Sequence, residues 1–135
     1  MYEMRLIFLA KAVVVDTRTR NVSAFSIINN INAENFPVLV QDFTLCYTVD
    51  RDLTTDKKPV LDVRIRVELN GKELIESPAQ INFFEQPGST SIITFQGFLL
   101  TEPGKLSFKV IYEGHELGEY VVRIEQHALP PVPPT

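Results

Sequence analysis

Apolar and polar residues alternate along most of this chain, from Arg5 to Glu125, with turn-forming residues between the alternating segments. A period of two sends successive side chains to opposite faces of an extended strand, so each segment has one face for a core and one for water. Between Leu61 and Asn70, Val63, Ile65, Val67 and Leu69 interleave with Arg64, Arg66, Glu68 and Asn70. Asn70-Gly71 closes the run. Both residues tolerate the positive φ of a type I′ turn, which predicts a reversal into Lys72–Glu76. Leu106, Phe108, Val110 and Tyr112 alternate after the turn Glu102-Pro103-Gly104, and Tyr120, Val122 and Ile124 do so after Glu113-Gly114-His115-Glu116. Both pairs read as antiparallel hairpins.

The pattern predicts strands near residues 5–15, 22–29, 42–50, 61–69, 73–76, 80–84, 90–100, 105–113 and 118–125. Short strands at this spacing mean a sandwich or a barrel. In the third, Phe43, Leu45, Tyr47 and Val49 share a face, which puts Cys46 on the other with Thr44 and Thr48, near the surface or under a loop. The least regular stretch is Asn30–Val40, where Pro37 removes a donor and turns Phe36 away from helical geometry; a short helical turn or an open crossover from one sheet to the other is expected at residues 33–37. Gly97 interrupts Ile92–Leu100 and marks a bulge or a close backbone approach. After Gln126 the alternation ends. Residues 127–135 form a Pro-rich tail expected to be extended or disordered, following a single domain at 1–126.

At 135 residues the chain suits one core and is short for two domains. Nine Phe, four Tyr and no Trp, with much Val, Ile and Leu, suit a sandwich interior and argue against disorder. Thirteen basic and seventeen acidic side chains leave a formal charge of −4, which offers phosphate backbones no general attraction. Nucleic acid is therefore not an expected partner. One cysteine, Cys46, excludes an internal disulfide and fits a reducing compartment, so a cytoplasmic location is expected. Leu6–Val15 resembles the apolar part of a signal peptide. Lys11 interrupts it, Asp16 and Arg18 follow, and it is too short for a helix to span a bilayer, so it is read as the first strand and no membrane association is expected.

Little remains for chemistry. Nucleophilic catalysis needs a base within hydrogen-bond reach of the nucleophile, and only His115, in a predicted turn, and His127, at the start of the tail, are available. The chain has too few Cys and His for structural zinc, and its glycines lack the strand–loop–helix setting of a phosphate loop. An enzyme is not expected, nor is a cofactor. Asp50, Asp52 and Asp56 crowd one loop and supply the oxygen ligands calcium prefers, although Arg51, Lys57 and Lys58 lie in the same stretch. Asn29, Asn30, Asn32, Asn35 and the adjoining Phe36 form a candidate polar-ligand site, since Asn both donates and accepts; turn formation explains the asparagines with no ligand and is the preferred reading. Pro130, Pro131 and Pro133 are stiff enough to enter an aromatic groove that recognises polyproline II.

Two stretches carry a resemblance. Val13-Val14-Val15-Asp16, then Val22–Ile31 with its paired Asn29-Asn30, then Asn35-Phe36-Pro37, resemble a family of small uncharacterised bacterial proteins. Pro103-Gly104-Lys105-Leu106-Ser107-Phe108-Lys109-Val110-Ile111-Tyr112 with Gly114 is similar to the closing hairpin of Ig-like and C2-like sandwiches. The resemblance implies a sandwich and no particular activity. The immunoglobulin Trp and cysteine pair are absent.

The expectation is an all-β, two-sheet antiparallel sandwich of Ig-like or C2-like type. It would act as a non-enzymatic interaction or structural module, with a protein partner or a homodimer formed through sheet edges. The alternatives are carbohydrate binding at residues 29–36 and calcium-dependent binding at 50–56.

Overall fold

A computed structural model describes residues 1–127. The strands are β1 (Glu3–Val15), β2 (Val22–Ile27), β3 (Asn30–Ala33), β4 (Val38–Asp50), β5 (Val60–Leu69), β6 (Lys72–Asn82), β7 (Gly88–Leu100), β8 (Gly104–Tyr112) and β9 (His115–Gln126). They form a four-stranded sheet in the order β2-β1-β4-β7 and a five-stranded sheet in the order β3-β9-β8-β5-β6. Neither sheet closes into a barrel, and no helix occurs among the described residues. The predicted single-domain all-β sandwich is the fold observed.

Leu9, Phe43, Leu45, Tyr47 and Val49 from one sheet meet Leu61, Ile65, Val67, Leu106, Phe108, Val110 and Val122 from the other, all buried. Phe98 packs its ring 5.2 Å from Phe95 and 5.9 Å from Phe108, which fastens the layers at one end. Each such side chain removed from water contributes roughly 1.5–3 kcal/mol, set against the entropy of ordering it.

Three elements differ from the sequence expectation. Residues 73–76 and 80–84 were expected as separate strands, but Lys72–Asn82 is one, with Pro78 paired opposite Arg64. β6 is a sheet edge, so the missing Pro78 donor costs no ladder bond. Asn30–Ala33, inside the stretch read as least regular, is a strand parallel to β9, pairing Asn30 with Arg123 and Ala33 with Gln126. Four residues are too few to display an alternation. β4 begins at Val38 rather than near residue 42. Asp42 has φ +62° there and reverses the faces, so Val40 packs against the core on one side of it and Phe43 on the other.

Gly97 serves that reversal. A Cβ on it would lie 3.2 Å from the Val40 carbonyl oxygen. Phe95 and Phe98, three residues apart, both point into the core, which a regular strand does not permit. Asn70 and Gly71, with φ of +51° and +84°, form the expected two-residue turn between β5 and β6. The Phe36–Pro37 peptide bond is cis.

Candidate functional site

The asparagine segment is used largely by the fold. The Asn29 carbonyl accepts from the Arg123 N–H at 3.1 Å, and the Asn29 side-chain oxygen accepts from the Tyr120 hydroxyl at 3.0 Å. Asn30 and Asn32 project from the exposed β3 edge, Asn35 is exposed in the following bend, and Phe36 is half-buried against the core. Asn29 and Asn30 share a shallow hollow with Val121 and Arg123; Asn32, Asn35 and Phe36 do not line it.

The three aspartates are divided among separate partners. Asp50 pairs with Arg5, its Oδ2 lying 3.1 Å from the guanidinium Nε. Asp52 Oδ1 accepts from the Thr54 N–H and hydroxyl, and Asp56 Oδ2 accepts from the terminal ammonium of Met1 and from the Asp52 N–H. These bonds hold the Asp52 and Asp56 carboxyls below the usual aspartate range. Among the described residues no three Asp, Glu, His or Cys side chains come together as a metal ligand set. Loop capping and ion pairing occupy the carboxylates of Asp50, Asp52 and Asp56. Pro130, Pro131 and Pro133 lie outside the described residues.

Cys46 is fully buried rather than near the surface. It stands opposite Phe8 on β1 and forms a buried cluster with Phe8 and Ala10, against which Val13, Val22, Ala24 and Tyr120 pack. Arg5 and Val15 line one hollow, together with Arg20, Phe84 and Thr90. In a straight strand, ten residues would hold positions 5 and 15 roughly 33 Å apart. β1 therefore bends after Ala10, and the far half of the β1–β2 hairpin lies as a flap over the outer face of its own sheet. Burial pushes the thiol pKa up to about 11.

The outer face of the five-stranded sheet is built differently. Arg66 reaches Glu73 and Glu76, Arg64 pairs with Glu76, and Lys109 bonds Glu68 at 3.0 Å while approaching Glu119 at 3.9 Å. The hydrogen bond to Glu68 raises the Lys109 pKa. The Arg64 bond lowers that of Glu76, and the neighbouring Glu76 carboxylate raises that of Glu73. These surface pairs, mostly between half-buried side chains, make this face hydrophilic.

Among the described residues, four edges bound the two sheets: β2, β7, β3 and β6. Unpaired strand edges invite other strands, and proteins blunt them with short length, charge, proline or irregular backbone. β2 has six residues with Ser26 at φ +56°, and β3 has four. β6 carries Pro78, Lys72, Glu73 and Glu76. β7 has none of these guards. Its thirteen residues, GSTSIITFQGFLL, hold no charge and no proline, and Gly97 disturbs only its last part. Ile92 is 40% exposed and Leu99 57% exposed. The sequence reading singled out sheet edges without finding this one. The uncharged run from Gly88 to Leu100 was the available signal.

Residues 5–125 match the model of a family of unknown function. The chain belongs to that family, DUF6941. No curated protein matches the chain. The DUF6941 match takes in all but the outermost residues of β1 and β9, so the family unit is the sandwich itself, flap and β7 edge included.

The hollows of this DUF6941 chain are open surface features. The one of about 720 Å³ lies over β5 at the β8–β9 turn, between Pro78, Ala79 and Gly114, with Asp62 and Arg64 on its floor. Its polar groups are already engaged: Asp62 accepts from Gln80 at 3.0 Å, and Arg64 pairs with Glu76. Among the described residues no helix is long and apolar enough to cross a membrane.

Proposed function

We propose that this protein is a non-enzymatic interaction module that recruits a protein strand to the free edge of β7. The observation that carries the reading is the contrast among the four edges: β7 is the long one with no charge, no proline and an even backbone from Ser89 to Gln96. An added strand gains main-chain hydrogen bonds along such an edge, and alternate side-chain positions supply specificity.

The disposition of the reactive groups supports a non-enzymatic role. The Cys46 thiol is protonated at neutral pH under the flap, and His115 and His127 lie at the β8–β9 turn and beyond β9. His127 bonds Glu125 at 2.8 Å. The acid excess and the ion-paired outer face argue against a nucleic-acid partner. A buried single thiol suits the reducing cytoplasm of a bacterial cell, the setting that the family resemblance implies.

A photo-crosslinking residue placed at Thr94, on β7, tests the reading in cells at native expression. A discrete crosslinked species is expected from Thr94 and not from Gln80 on the guarded β6 edge. Equal products at both positions, or none at Thr94, would contradict it.

A further inference from the structure

We infer that the strand recruited by β7 is β7 of a second copy of this chain, paired antiparallel about a two-fold axis at Ile92. The inference rests on the edge reading above and names its partner.

Three features favour a second copy. The first is the outward row of β7. Thr90, Ile92 and Thr94 stand opposite Thr48, Cys46 and Thr44 of β4. The row Thr-Ile-Thr reads the same in both directions, so a two-fold at Ile92 sets Ile92 against Ile92 of the second copy and Thr90 against its Thr94. Within one chain the Thr48 and Thr90 hydroxyls already bond at 2.8 Å, and those of Thr44 and Thr94 lie 3.5 Å apart. The pairing would continue both threonine ladders across four strands. Facing threonines and facing β-branched residues are favourable cross-strand pairs.

The second feature is charge. Self-pairing sets each residue against one from the same strand, so a charged edge repels itself. β6, with Glu73 and Glu76 as well as Pro78, is unsuited to it, whereas no side chain of β7 carries charge. The third is extent. About the Ile92 axis the even part of the strand, Gly88 to Gln96, finds partners along its whole length, and the irregular backbone at Gly97 falls outside the pair. A strand pair of this size lies at the small end of protein interfaces, so the dimer should dissociate on dilution.

Sedimentation velocity over a concentration series, with Ile92→Lys, Ile92→Glu and their equimolar mixture, tests the inference. Wild type is expected to shift from monomer to dimer with concentration. Each single variant should raise the midpoint by at least about tenfold, since like charges then meet on the axis. The mixture should regain dimer, because opposite charges meet there. Unchanged circular dichroism of the variants excludes misfolding, and Gln80→Lys on β6 should behave as wild type. A wild type that stays monomeric at the highest attainable concentration overturns the inference, as does a dimer indifferent to both Ile92 variants. The Thr94 crosslink separates the two readings. A product with twice the chain mass supports the second copy, a product with a different protein overturns it and leaves the edge reading standing, and no product removes both.

Discussion

Gly118 on β9 lies directly against Met4 on β1: a Cβ at position 118 would stand 2.7 Å from the Met4 Cγ and 2.9 Å from its Cε. The two strands belong to different sheets, so this contact closes one open side of the sandwich. Gly118→Ala should cost about 1–3 kcal/mol, the usual penalty for overpacking. Its φ lies outside the left-handed region, so the cost comes from the clash. Met4→Ala should relieve much of it. Denaturant melts of the two single variants and the double variant check this; additive losses would mean that the contact is not the cause.

Asn70 ties two turns together. Its side-chain oxygen accepts from the Lys105 N–H at 2.9 Å, its amide donates to the Pro103 carbonyl at 3.0 Å, and its backbone has φ +51°. Asn70→Gly keeps the backbone freedom and loses both side-chain bonds, whereas Asn70→Ala loses the freedom as well. Chemical denaturation should rank wild type above Asn70→Gly above Asn70→Ala, with about 1–3 kcal/mol across the series. Equal stability of the two variants would remove the backbone from the explanation.

The Cys46 thiol links the flap to pH. Its pKa rises from 9.0 to about 11 because burial disfavours the thiolate. The folded state therefore holds its proton more tightly than the unfolded chain. The stability linked to this group is fully present below about pH 9 and is lost as pH rises toward 11, a loss of about 3 kcal/mol at most. Cys46→Ala should flatten that part of the stability curve relative to wild type. Identical curves above pH 9 would contradict the assignment.

The flap also predicts slow thiol chemistry. An exposed-thiol reagent should modify native Cys46 far more slowly than the denatured chain. Val13→Asp, which sets a charge on the underside of the flap, should accelerate it while leaving the circular dichroism of the two sheets in place. Fast labelling of the wild type would mean that Val13, Val22 and Ala24 do not cover it.

How much was legible in the sequence varies with the strand. β5, β8 and β9 declare themselves because each keeps one face in the core and one in water, as Val63, Ile65 and Val67 do between Arg64, Arg66 and Glu68. β4 was read short because Asp42 reverses its faces, a backbone event that no side-chain period records. Cys46 was placed on the correct face. Of the two placements open to it, near the surface or under a loop, burial under the hairpin is the one observed, and the alternation could not choose because it identifies a face without saying what folds over it. The asparagines and aspartates drew attention by residue type, and bonds from Tyr120, Arg5 and Thr54 account for several of them. The β7 edge was hidden for the opposite reason: its mark is a lack of charge, present in the sequence but telling only once the sheet order shows that β7 lies at an edge.

The claim on which the rest depends is that the free edge of β7 is a pairing surface. Residue-resolved amide hydrogen exchange along β7, in concentrated wild type and in Ile92→Lys, tests it most directly. The account predicts slow exchange at every position from Ser89 to Gln96 in wild type, and in the variant an alternation in which amides facing away from β4 exchange fast. The same alternation in both proteins would contradict it.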